Sequence, residues 1–145
     1  MRLMLLRHGQ AQASAPRDEQ RRLVPAGEVA ILRQRQWLDP SVSAFYCSPY
    51  QRARESAELI RPTLGDRAPI IDDRLTPDQS IDGALDLLRS AEGESILLVA
   101  HNPLLSHLAG VLSGDPYGVS LPTAGLVCLE ADGWFPGSAQ LLWQK

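Results

Sequence analysis

Three short stretches, far apart in the chain, carry side chains suited to holding and transferring an anion. They are Arg7-His8-Gly9, Ser48-Pro49 followed by Arg52, and His101-Asn102-Pro103. Arginine offers a planar fork of N–H donors that matches phosphate oxygens and stays charged at any working pH. Histidine offers a ring nitrogen that takes a phosphoryl group and surrenders it to water, splitting one hard reaction into two steps. Phosphoryl transfer asks mainly for positioning and charge neutralisation. Gathered at one place, Arg7, Arg52, His8 and His101 would repel one another unless an anion held them together.

Each stretch follows an apolar run that reads as a buried strand. Leu3-Met4-Leu5-Leu6 stops at Arg7, Ala44-Phe45-Tyr46-Cys47 stops at Ser48, and Ile96-Leu97-Leu98-Val99 leads through Ala100 to His101. Ligands of open α/β sheets bind beyond the carboxyl ends of the strands, so all three ends point to one site. Gly9 has no side chain and would let a ligand approach the main chain. Ser48 and Asn102 read as N-caps of helices over 49–60 and 103–112, with Pro49 and Pro103 at the first helical position. The free N–H groups of such helix starts suit phosphate. Arg52 falls in the first turn, where a cation is disfavoured unless it shares an anion with those groups. Arg54 points about 200° away around the helix and should not serve the same site.

The remaining elements must position these ends. Residues 11–22 are polar and irregular and read as a loop. A helix over 25–38 starts on Pro25, with Val24 a poor cap that forgoes roughly 1 kcal/mol against Ser or Thr. Residues 69–72 read as a short edge strand and 74–78 as a turn. A helix over 81–91 presents Ile81, Ala84, Leu85 and Leu88 on one face. Strands are expected over 126–130 and 139–143, the last one antiparallel. The pattern predicts a single domain, 1–145, of three-layer α/β/α type, with a mostly parallel central sheet and an antiparallel edge strand.

Composition removes several classes of function. A formal net charge of -3 gives no support for binding nucleic acid or an anionic membrane. The basic residues between Arg17 and Arg22, and Arg33 with Arg35, read as a solvated face. Hydrophobic residues make up 44% of the chain, enough for a packed core. Cys47 and Cys128 sit in apolar surroundings and read as buried free thiols. No stretch is long enough to span a bilayer, and the first apolar run is too brief for a signal peptide, so a cytoplasmic protein is expected. His107 lies six residues after His101 and matches no zinc spacing. Trp37, Trp134 and Trp143 read as core or rim packing, while Thr123 and Ala124 could lend a hydroxyl or an N–H to the site.

Taken in order and spacing, Leu6-Arg7-His8-Gly9, Ser48-Pro49 with Arg52-Ala53, Leu75-Thr76-Pro77, and Leu98-Val99-Ala100-His101-Asn102-Pro103-Leu104 resemble the histidine phosphatase (phosphoglycerate mutase-like) superfamily. Within it they resemble the small bacterial phosphohistidine phosphatases of the SixA type, and the likeness covers nearly the whole chain. It implies that His8 is the nucleophile that becomes phosphorylated. It implies that Arg7, Arg52 and His101 bind the phosphoryl oxygens and stabilise transition-state charge. Gly9 and Ser48, from the reading of the strand ends, join Arg7, Arg52 and His101 as expected phosphate-binding residues. No metal and no cofactor are implied. The substrate implied is phosphohistidine on a partner protein, a phosphotransfer domain or a phosphocarrier.

Two departures stand out. Val24 occupies a position where relatives usually carry a helix-capping threonine. No acidic proton donor is assignable, and Asp78, near the right region, reads as a turn aspartate. An alcohol leaves badly without a proton, whereas imidazole, with a pKa of about 6.5, can depart already protonated. A missing acid therefore favours a phosphoramidate. The alternatives are a phosphatase for small phosphomonoesters and a non-catalytic phospho-binding module using the same pocket.

Overall fold

A computed structural model describes residues 1–145. Strands β1 (Arg2–Arg7), β2 (Ala44–Cys47), β3 (Ile70–Ile71), β4 (Ser95–Ala100), β5 (Leu126–Glu130) and β6 (Gln140–Gln144) form one sheet in the order β3-β2-β4-β1-β5-β6. The helices are α1 (Pro25–Gln34), α2 (Gln51–Ile60), α3 (Ile81–Ser90) and α4 (Leu104–Ser113). Side chains that alternate between two covered faces explain the layers. Met4, Leu6, Leu97, Val99, Leu126 and Cys128 point to one face and pack on Ile31 of α1 and Ala53, Ala57 and Ile60 of α2. Leu3, Leu5, Ile96, Leu98, Val127 and Leu129 point to the other and pack on α3 and α4. All six residues of β4 are buried, as expected of a strand covered on both sides at the middle of the sheet.

The pairs β1–β4, β4–β2 and β2–β3 are parallel, whereas β1–β5 and β5–β6 are antiparallel. The edge strand β6 thus pairs antiparallel, as expected, but the reversed strand is β5, one position in from the edge. The reversal matters for the site, because the start of β5 lies beside the end of β1.

Three helix boundaries differ from the sequence expectation. The first helix leaves α geometry at Gln34 and finishes as a 3-10 turn over Arg35–Trp37. Val24 caps it without any side-chain hydrogen bond. α2 starts at Gln51, with Tyr50 and not Ser48 at its N-cap, and α4 starts at Leu104 with Pro103 as its N-cap. Ser48 is drawn into other contacts, whereas Asn102, one residue before the N-cap, still accepts an amide of the first turn of α4.

Candidate active site

One residue beyond the last β1–β4 pair, Arg7↔Ala100, the parallel register sets His8 beside His101. The His8 amide donates to the Ala100 carbonyl at 3.0 Å, so the ladder itself reaches His8. Continued alternation sends both rings to the α1/α2 face, and their centroids are 5.0 Å apart. His8, Arg52 and His101 are 7%, 3% and 1% exposed.

The His8 ring has a defined polarity. Its Nδ1 lies 2.7 Å from the Gly9 carbonyl, which can only accept, so Nδ1 carries the proton. Nε2 is left with its lone pair, and the Arg52 Nε–H points at it across 3.4 Å. Burial pushes the His8 imidazole down to about 4, with Arg52, Arg7 and Arg21 adding to the shift against the Gly9 hydrogen bond. Burial lowers His101 further, to about 2, helped by His8 and the same arginines. Both rings are therefore neutral near pH 7. That is how this chain resolves the crowding of like charge.

Ser48 is buried, with its Oγ 2.7 Å from His101 Nε2 and accepting the Tyr50 amide at 3.2 Å. The assignment that satisfies all three groups has the Ser48 hydroxyl donating to Nε2, which puts the ring proton on Nδ1. His101 Nδ1 and Arg7 Nε are buried and have no hydrogen-bond partner within the protein. Two such nitrogens beside a ring with a free lone pair fit an oxyanion ligand. Ser48 is committed to His101 and Tyr50, which also explains why it caps no helix. The Tyr50 ring stands edge-on to His101 at 5.1 Å and has the Arg52 guanidinium over it at 5.1 Å.

Because β5 is reversed, the segment leading into it borders the site. The Leu121 carbonyl accepts from both Arg7 Nη1 at 3.0 Å and Asn102 Nδ2 at 2.8 Å. Asn102 Oδ1 in turn accepts the Ser106 amide of α4. The Ala124 amide donates to the His8 carbonyl, so it steadies the strand end and has no N–H to offer a ligand. Thr123 is exposed and borders a separate groove with Ala30 and Arg33.

Gly9 also has a different task from the one expected. Its N–H donates to Ser56 Oγ at 3.1 Å, and an added Cβ would stand 2.6 Å from the Gly27 carbonyl oxygen. The close approach that glycine permits is that of α1, the protein's own backbone. Ser56 lies four residues after Arg52 on α2 and donates to the Arg52 carbonyl, so this helix face delivers a cation and a Gly9 anchor together.

Asp18 has no counterpart in the sequence reading. It sits in a short 3-10 turn, Asp18–Gln20, within the loop expected over 11–22. Arg52 Nη1 donates to its backbone carbonyl at 2.9 Å and Nη2 to its Oδ2 at 3.2 Å, while Arg21 Nε donates to Oδ1 at 2.9 Å. Partial burial raises the Asp18 carboxyl, but Arg52 and Arg21 outweigh that and hold it below the usual carboxylate range. Arg21 therefore belongs to the rim of the site and is not part of a merely solvated face. Asp78 is exposed and accepts from Thr76 Oγ1. Arg54 and His107 are exposed away from the cluster, and Arg54 lines a groove of about 610 Å³ with Glu55 and Ile71 on the far side of α2. No three His, Cys, Asp or Glu side chains gather as metal ligands would.

Residues 3–76, just over half of the chain, match the profile of the histidine phosphatase superfamily (branch 1). The chain belongs to that superfamily. Its members are phosphatases, and the matched segment holds Arg7, His8, Ser48 and Arg52. A phosphohistidine phosphatase SixA homolog of Haemophilus influenzae is 27% identical, over 92% of this chain and 90% of its own. The fold matches a structure of the protein histidine phosphatase SixA complexed with tungstate, with a TM-score of 0.82, 22% identity and coverage of 99% and 96% of the two chains. It also matches a phosphoserine phosphatase from Entamoeba histolytica bound to 3-phosphoglyceric acid, with a TM-score of 0.74, 18% identity and coverage of 99% and 96%. No helix is long and apolar enough to cross a membrane.

Proposed function

We propose that this superfamily member is a phosphohistidine phosphatase acting on a phosphorylated partner protein through a covalent phosphoryl group on His8 Nε2. The observation that carries the reading is the polarity of His8. With Nδ1–H fixed on the Gly9 carbonyl, the Nε2 lone pair faces the Arg52 guanidinium, where a phosphoryl group would be held. In the first step the lone pair attacks phosphorus and the P–N bond to the substrate imidazole breaks. The substrate ring already carries a proton on its other nitrogen, so the bonding electrons become the lone pair of a departing neutral imidazole and no acid is needed. In the second step water attacks phospho-His8, and inorganic phosphate and neutral His8 are released. Arg7 and Arg52 neutralise charge on the phosphoryl oxygens in both steps, and neutral His101 donates its Nδ1–H to them. Ser48 and Gly9 act one layer back, on His101 and Ser56, and not on the anion.

The choice of substrate follows from Asp18. The carboxylate in contact with Arg52 is held ionised and delivers no proton near neutral pH. A leaving group that departs without an acid is favoured, and imidazole qualifies where an alkoxide does not. The chemistry asks for no metal or cofactor. The test is release of phosphate from a phosphorylated histidine-containing phosphotransfer protein with EDTA present. Turnover is expected, with an acid-labile phosphoryl group on the enzyme and none on His8→Ala. Binding without a labelled His8 would make the protein a phospho-binding module. Equal turnover of unactivated phosphomonoesters would move the substrate to small molecules.

A further inference from the structure

The Arg52 guanidinium is not an open fork. Its Nε–H is aimed at His8, and its opposite side is occupied by the Asp18 carbonyl and carboxylate. Asp18 is in turn gripped by Arg21, so the carboxylate is fixed between two cations. Its side chain is 57% exposed while that of Arg52 is 4% exposed, which sets the carboxylate at the mouth and the guanidinium below it. An incoming phosphoryl group reaches Nε past a resident negative charge. Tyr50, packed against both Arg52 and His101, lines the same mouth.

We infer that Asp18 determines specificity: its carboxylate, seated on the outer side of Arg52, excludes a second anionic group next to the transferred phosphoryl group, so the site takes phosphoryl groups on neutral or basic carriers. This deepens the proposed function and rests on its placement of the phosphoryl group between His8 and Arg52. The cationic floor alone would favour the most highly charged ligand. Asp18 reverses that preference at the rim by occupying the outer donors and repelling a second anion. Phosphohistidine, whose carrier ring is neutral or cationic, meets no such repulsion.

Glycerol 3-phosphate and 3-phosphoglycerate test this directly, since they differ only in a hydroxymethyl group against a carboxylate. Their binding to the whole protein is measured by calorimetry, with inorganic phosphate as reference. The wild type is expected to bind glycerol 3-phosphate about tenfold more tightly, a difference of about 1.4 kcal/mol. Asp18→Asn should shrink that preference to less than about threefold and tighten inorganic phosphate. Glu19→Gln removes a neighbouring charge without touching Arg52 and should leave the preference in place.

Equal or tighter binding of the carboxylated ester by the wild type overturns the inference without recourse to any variant. So does a preference that survives Asp18→Asn, or one that Glu19→Gln abolishes as fully. The readout is binding and not turnover. Failure to dephosphorylate a phosphohistidine protein would remove the proposed substrate and leave this preference standing. Intact phosphohistidine turnover with no preference would do the reverse.

Discussion

His8 and His101 are neighbours across the β1–β4 ladder, one step past its last pair, and each ring has one nitrogen tied down, His8 by its own strand end and His101 by the end of the neighbouring β2. Gly9 holds Nδ1 of His8, and Ser48 holds Nε2 of His101. The two nitrogens left over differ in character: a lone pair on His8, and on His101 a buried nitrogen with no partner in the protein. In the proposed mechanism a nucleophile and a stabiliser are thereby distinguished in a pair of identical side chains, by which ring nitrogen the protein engages.

Ser48→Ala should separate positioning from binding. The substitution strips the part-buried Tyr50 amide of its acceptor and the buried His101 Nε2 of its partner. The stability cost should be about 1–3 kcal/mol, read from denaturant midpoints. Turnover should fall by roughly 10- to 100-fold, while KM changes little, because the ring that stabilises charge loses its orientation. Unchanged kcat with a raised KM would instead make Ser48 a direct phosphate ligand.

Stability should fall between pH 7 and pH 5. An unfolded histidine titrates near 6.5, whereas folded His8 and His101 titrate at about 4 and about 2. Between these values the unfolded chain binds more protons than the folded one, so stability is fully present above about 6.5 and drains away as the pH falls. The pair should account for about 2–4 kcal/mol over that interval. Added phosphate favours the protonated rings and should blunt the loss. Denaturation curves of wild type and His101→Gln settle it, the variant losing about half of the slope.

The strand ends were legible because apolar runs stop abruptly at chemically able residues, and parallel pairing needs only matched run lengths to align them. Arg52 was legible from a helix dipole it offends. Ser56 follows it by one turn and would have been found by asking what a serine does on a buried helix face beside it. Asp18 and Leu121 were not legible. Asp18 lies in an aperiodic polar loop, and Leu121 acts through a backbone carbonyl that any residue would supply. The sequence points to a start of α2 at Ser48-Pro49 because the local capping signal is genuine. Ser48 does accept an amide two residues on, but tertiary demand from His101 moves the helix start to Gln51.

Gly9→Ala should cost stability before it costs chemistry. The new methyl would meet the Gly27 carbonyl oxygen at 2.6 Å, and Gly27 itself packs still more tightly on the Gln10 backbone. Overpacking of this kind costs typically 1–3 kcal/mol. Shifting α1 would also strain the Gly9–Ser56 hydrogen bond and, through it, the Arg52 turn of α2. The expected pattern is a lower melting temperature with substantial residual activity at low temperature. Wild-type stability with activity lost would mean that Gly9 faces the ligand after all.

Arg52→Lys tests whether geometry or charge is what the site uses. A lysine ammonium is a point charge with rotatable donors, and it cannot face His8 and hold Asp18 at once as the planar guanidinium does. Freed from Arg52, the Asp18 carboxylate would either follow the ammonium, cancelling it, or swing into solvent with Arg21. In neither case does a rigid donor remain at the nucleophile when charge develops on the phosphoryl oxygens. Turnover should drop by about 10²–10³-fold, the size expected for loss of a preorganised charged donor. Phosphate affinity should fall far less, since the net charge is kept. The comparison with Arg52→Ala decides the matter. If lysine restores most of the rate that alanine loses, charge suffices; if lysine restores binding and not rate, the orientation imposed by Asp18 and Tyr50 is what Arg52 contributes.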